Sequence, residues 1–128
     1  MNITVLWSVC LAAIALPHFS FAINPVTNVV TRTGDRSIVL HWDRSGETGL
    51  RGYHVYRADS ESGPFSKINS ALLDLVSFAD VHVENDRSYW YAVRVVTSSG
   101  EGPDSAKVRA TPRAFADNDE FLEYLQRT

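Results

Sequence analysis

Cysteine is almost missing from this chain. The single one, Cys10, lies in the apolar first stretch, so the remainder has neither a disulfide nor a thiolate. Its stability must come from a hydrophobic core, for which about a hundred residues suffice. No long run of one charge sign occurs: 12 Lys and Arg are interspersed with 15 Asp and Glu, for a net charge of −3. A mildly acidic chain lacks the basic face that nucleic acids and anionic membranes need in a partner. Internal repeats and low-complexity tracts are absent too. What remains is 45% apolar and 21% charged, the composition of one globular domain of ordinary size.

Met1–Ala22 carries no charged side chain. Its apolar core, from Ile3 to Leu16, falls short of the ~20 helical residues that span a bilayer. Pro17 ends it, and Ser20-Phe21-Ala22 puts small residues at the −3 and −1 positions of a cleavage site. These features predict a secretory signal peptide over 1–22, and hence a secreted or periplasmic protein without stable membrane insertion after cleavage. The n-region departs from the usual pattern in having no Lys or Arg. An uncleaved anchor or a buried N-terminal strand is the alternative. Val9 before Cys10 argues against lipid attachment.

From Ile23 onward, short β-prone runs alternate with turn signals every ten or so residues, as in a β-sandwich. Ser88–Thr97, SYWYAVRVVT, has the period-2 pattern of a strand with one buried face: Tyr89, Tyr91, Val93 and Val95 on one side, Trp90, Ala92, Arg94 and Val96 on the other. Ser37–Asp43 alternates likewise, with Ile38, Leu40 and Trp42 to one side. Gly52–Ala58 points Tyr53 and Val55 inward. Further strands are predicted over Pro25–Arg32, Phe65–Ile68, Val76–Ala79 and Ser105–Thr111. Loops fall at Arg44–Gly52 and Ser98–Pro103, and a turn at Thr33-Gly34-Asp35.

Taken in order, Pro25-x-x-x-Val, SIVLHW, GYHVYR, the F-x-D-x-x-V of Phe78–Val83, SYWYAVRVV and SSGEGPDS resemble a fibronectin type III domain over 23–112. The resemblance implies an all-β, seven-stranded immunoglobulin-like sandwich. Trp42 would be its core tryptophan, and Tyr53 and Tyr91 would share that core. Tyr89 would be the tyrosine corner, its hydroxyl bonded to backbone just upstream, with Val83 plugging the corner. The compact PF-x-K-I segment is similar to bacterial members attached to secreted enzymes. Arg32-Thr33-Gly34-Asp35 is not an Arg-Gly-Asp motif, so integrin-type adhesion is not implied.

After Pro112 the composition shifts. Residues 113–128 read as a linker and a short amphipathic helix, DNDEFLEYLQRT, with Asp117 as cap and Glu120 three residues on. Acidic residues lie in its first turn and Arg127 in its last, as the helix dipole prefers. Phe121, Leu122, Tyr124 and Leu125 would form one apolar face. This tail resembles the start of bacterial glucoamylase-like and endo-β-1,2-glucanase catalytic domains, at Asp119, Phe121, Leu122, Leu125, Gln126 and Thr128. It carries none of that family's catalytic acids. Its helix would either dock on the outer face around Trp90 or await a helical domain further along.

No catalytic, cofactor-binding or metal-binding constellation is visible from Ile23 onward. His41, His54 and His82 have no metal-ligand spacing such as H-x-x-x-H. The carboxylates are scattered over loops, and Asp80 suits a turn better than acid–base chemistry. One surface is sharper. If GYHVYR and SYWYAVR are neighbours, then His54, Tyr56, Trp90 and Arg94 share an outer face that could stack a sugar ring, cover a neighbouring domain, or merely stiffen the sheet. Two functions follow. One is a non-catalytic interaction or spacer module of a secreted protein, such as an accessory domain of a carbohydrate-active enzyme, with a neighbouring domain, a protein surface or a polysaccharide as partner and no cofactor. The other is the N-terminal part of a glucoamylase-like glycoside hydrolase whose catalytic domain lies outside this chain.

Overall fold

The computed structural model describes residues 22–127; the expected signal peptide up to residue 21 lies outside them. Two antiparallel sheets face each other. The smaller holds β1 (Val30–Gly34), β2 (Ser37–His41) and β5 (Ser77–Asp80) in the order β1-β2-β5. The larger runs β4 (Ser66–Lys67), β3 (Leu50–Ala58), β6 (Tyr89–Thr97) and β7 (Gly100–Glu101), with β8 (Val108–Ala110) also on β6. The chain ends in one helix, α1 (Asn118–Gln126).

The alternating residues supply the core, because a strand sends every second side chain to one face. Ile38, Leu40 and Trp42 from the small sheet meet Tyr53, Val55, Tyr89, Tyr91, Val93 and Val95 from the large one, all buried. Trp42 meets the Tyr53 ring edge-on, centroids 5.4 Å apart. Its indole N–H is buried without a hydrogen-bond partner. The Tyr89 hydroxyl accepts a 3.0 Å hydrogen bond from the Glu84 amide, five residues upstream, and Val83 is 3% exposed.

Several boundaries differ from the expected ones; β3, for one, begins at Leu50, inside the expected loop 44–52. The first strand begins at Val30 rather than Pro25, because Asn28 takes the left-handed conformation (φ 55°) and interrupts the extended run. Its hairpin turn is Asp35-Arg36, with φ 50° at Arg36, one residue later than expected. The stretch expected as a loop over 98–103 is a two-residue hairpin, since Thr97 pairs with Gly100. The last strand therefore starts at Gly100 and is broken in the middle, where Pro103 has no N–H to donate. Bonds from Gly102 N to Val95 O and from Ser105 N to Val93 O keep the gap alongside β6. β7 and β8 thus occupy one position, and the sandwich has seven strands. In β3, Gly52 is a bulge (φ 153°) whose absent Cβ would lie 2.3 Å from the Leu73 carbonyl oxygen, so only glycine fits.

Candidate functional site

The larger sheet places the expected surface residues. In its β3–β6 register His54 lies opposite Arg94, Tyr56 opposite Ala92, and Ala58 opposite Trp90. All six face away from the core by alternation. The structure joins three of the four candidates and leaves the fourth apart. His54 and Tyr56 sit ring edge to ring face, centroids 6.5 Å apart. The Arg94 guanidinium lies 4.2 Å above the Tyr56 ring. Trp90 stands toward the other end of the strand, where Arg109 covers its ring at 5.4 Å.

Two acids, expected only as scattered loop carboxylates, complete the cluster. Glu101 accepts from the Tyr56 hydroxyl at 2.6 Å and from Arg94 Nη1 at 2.9 Å, and pairs with His54 Nδ1 at 3.2 Å. Asp104 accepts from Arg94 Nε at 2.5 Å. Only the hairpin at Gly100 brings these acids over β6, and the expected loop concealed it. Burial works against the ionised Glu101, but the bonds from Tyr56, Arg94 and His54 outweigh it and hold its pKa below the usual range. The Tyr56 hydroxyl is pushed up, by burial first and by its bond to Glu101 second. The bond to Asp104 raises Arg94 further above its ordinary value. A ring face under a guanidinium does not stack a sugar until the guanidinium moves. The cluster as it stands is a polar, cross-braced surface.

Asp80 does tie a turn: its Oδ1 accepts from the His82 amide at 3.0 Å. It also does something the sequence did not signal. Lying opposite Ile38, it points between the sheets, 3% exposed, and its Oδ2 takes bonds from Arg57 Nη1 (2.8 Å) and the Tyr91 hydroxyl (2.9 Å). Burial and then the Asp80 charge raise the Tyr91 hydroxyl far above its usual value. Among the described residues no group of His, Cys, Asp and Glu could hold a metal ion. No helix among them is long and apolar enough to cross a membrane.

The tail is placed otherwise than expected. Asp117 caps α1, accepting from the Glu120 amide at 2.9 Å, while Glu120 reaches back to the Ala116 amide (2.6 Å) and pairs with Arg113. The helix does not lie near Trp90. It rests on the outer side of β1, where the Arg32 guanidinium lies 4.3 Å above the Tyr124 ring and donates to the Tyr124 carbonyl. Arg127 falls at the C-cap, outside the last turn, so the cation at the helix's negative end comes from Arg32 of the sheet. Successive helix positions turn by about 100°, so the four apolar residues fall within an arc of about 160°, and the sheet meets that arc only at its Tyr124 edge: Phe121 packs on Phe115 at 5.4 Å, and Leu122 and Leu125 stay 52% and 51% exposed.

No family model matches the chain. An amylopullulanase of Thermoanaerobacter thermohydrosulfuricus is 33% identical over 91 residues, which are 69% of this chain and 6% of that protein. The human receptor-type tyrosine-protein phosphatase F is 32% identical over 87 residues, covering 67% of this chain and 4% of its own length. The chain thus spans a small fraction of the curated relatives it matches. A solved Fn3-like protein from Clostridium thermocellum superposes with TM-score 0.62 at 22% identity, over 72% of this chain and 96% of that one. A β-1,2-glucanase from Parabacteroides distasonis superposes with TM-score 0.63 at 18% identity, over 83% of this chain and 16% of that one. With seven strands in two sheets, a tyrosine corner at Tyr89 and these neighbours, the sandwich has the fibronectin type III fold.

Proposed function

We propose that this chain is a non-catalytic interaction or spacer module of a secreted carbohydrate-active enzyme. The observation that carries the reading is the match to amylopullulanases of three organisms, at 31–35% identity over 5–6% of each long protein. A stretch that small within a large hydrolase fits an accessory part of it. The described surface supports this: the carboxylates on the outer face are engaged by Arg94, Tyr56 and His54, and an acid or base must be available to act. Residues 1–22 serve as the export signal on this reading, so the secreted form starts at Ile23. Its intact mass checks that point, and a mass retaining Met1–Ala22 refutes it.

A second reading is favoured by one observation. Residues 23–112 are 90 of 128, yet the glucanase match covers 83% of the chain. That match is long enough to take in the tail as well as the sandwich. On this reading α1 opens a helical glycoside hydrolase domain, and the sandwich precedes it. Purified residues 23–128, incubated with starch, pullulan and a β-1,2-glucan, release no reducing ends above a heat-denatured control on both readings. Turnover of any of them overturns both.

A further inference from the structure

Two successive residues ahead of β1 are seated on the end of the sandwich. Ile23 is half-buried and packs on the core. Its seat is Gly102, also buried: a Cβ there would lie 2.8 Å from Ile23 Cγ2 and 2.9 Å from Val95 Cγ1. Asn24 is held by Glu47, in the loop before β3. Its backbone N–H and its side-chain Nδ2 both donate to Glu47 Oε1, at 2.9 and 2.8 Å. Glu47 Oε2 takes no hydrogen bond among the described residues. Ala22, one position earlier, is exposed. A cleft of ≈ 580 Å³ opens beside these residues, and among the described residues that line it only Glu47 ionises.

Resting on the export-signal reading of residues 1–22 above, we propose that cleavage between Ala22 and Ile23 creates a structural group. The new Ile23 ammonium pairs with Glu47 and locks the start of the chain to the sandwich. The step is a hydrolysis by a leader peptidase. Water adds across the Ala22–Ile23 peptide bond; Ala22 departs with a carboxylate, and Ile23 keeps an amine that is mostly protonated at neutral pH. The Ile23 nitrogen is one residue from the Asn24 nitrogen, so it lies within about 7 Å of Glu47 Oε1 before any side chain turns. Oε2 is open to it, and a nearby opposite charge favours the ammonium. The other charged groups around this end lie elsewhere or are engaged. Asp43 and Arg44 line a separate cleft with Asn24, where Asp43 accepts from Asn28. Glu101, beside Gly102, is taken up by Arg94, Tyr56 and His54. The position of the cut therefore matters. One residue earlier puts the ammonium on exposed Ala22, and one residue later removes the Ile23 plug.

The mature form, residues 23–128 released from a fusion with a free Ile23 amine, tests the pair independently of how cells process the chain. In an NMR titration the Ile23 amine should have a pKa at least about half a unit above the usual 7.7–8.0 or so. Glu47→Gln keeps an oxygen for Asn24 and loses only the charge. It should return that pKa to the usual range, with the near-ultraviolet circular dichroism of the sandwich unchanged. An aminopeptidase that accepts N-terminal isoleucine should remove Ile23 about tenfold faster from the variant than from the wild type. The form that starts at Ala22 should titrate in the usual range; it carries no substitution, so this comparison holds even if Glu47→Gln folds poorly. Equal pKa values in wild type and variant, equal trimming rates, or an equal elevation at Ala22 would each overturn the proposal. The export reading fails separately, if secreted material retains the mass of Met1–Ala22.

Discussion

The Tyr91 hydroxyl donates to Asp80 Oδ2 at 2.9 Å, from one sheet to the other through the interior. Arg57 closes the same contact from β3 at 2.8 Å. An ionised side chain that is 3% exposed is tolerated only when it is paired and hydrogen-bonded. Asp80→Ala removes the anion and leaves Arg57 half-buried without it. The expected loss is about 3–5 kcal/mol, read as a shifted urea midpoint. Tyr91→Phe deletes one of several bonds to the same carboxylate and should cost about 1 kcal/mol. Equal losses for the two variants would show that Asp80 is not the hub.

Trp42 is the second point of dependence. It is 4% exposed and meets Tyr53 edge-on. Replacing a buried aromatic by alanine costs about 3–5 kcal/mol, against a total stability of about 5–15 kcal/mol for such a domain. Trp42→Ala should lower the melting temperature sharply. A denaturation midpoint near wild type would contradict its place in the core.

Acid weakens the outer cluster in a definite direction. The pKa of Glu101 is held below its usual value in the folded chain. Its contribution is therefore full above the unfolded carboxylate value of about 4.3 and is lost as pH falls through the lower folded value. In that window the Glu101→Gln variant should lose stability less steeply than the wild type. The effect is small, because a side chain 30% exposed is screened by water. Identical slopes for the two proteins below pH 4.5 would mean that Glu101 gains nothing on folding.

Much of this was legible in the sequence, and the misses have physical causes. Period-2 alternation marks Tyr89, Tyr91, Val93 and Val95 as buried because burial on one face leaves that trace directly. It also ranks His54, Tyr56, Trp90 and Arg94 as one outer face. It cannot tell that Arg94 would lie over Tyr56, since that depends on Glu101 and Asp104 arriving by a hairpin. The hairpin was hidden because SSGEGP has the composition of a loop, while Thr97 and Gly100 pair across only two residues. The seat of α1 was missed for a related reason. Helix periodicity reports which residues are apolar, and the contact that positions this helix is a cation over a tyrosine, made by a residue 92 positions away.

Removing residues 114–128 should leave the main unfolding transition of the sandwich within about 5 °C of its original position. No α1 residue is fully buried, and a helix this short is marginal alone, so it undocks before the sandwich melts. A fall of more than that, about 1 kcal/mol for a domain of this size, would make α1 part of the sandwich's own fold.

The polypeptide that carries this sandwich in its source decides whether the sandwich is a module of a secreted hydrolase. An antibody raised against residues 23–112 can be used on the culture medium, and the captured protein sized and assayed on glycans. The expected capture is a secreted polypeptide several times larger than the 14.3 kDa of this chain, with glycan-hydrolysing activity captured along with it. A captured protein no larger than this chain, or a larger one that leaves every glycan intact, would contradict it.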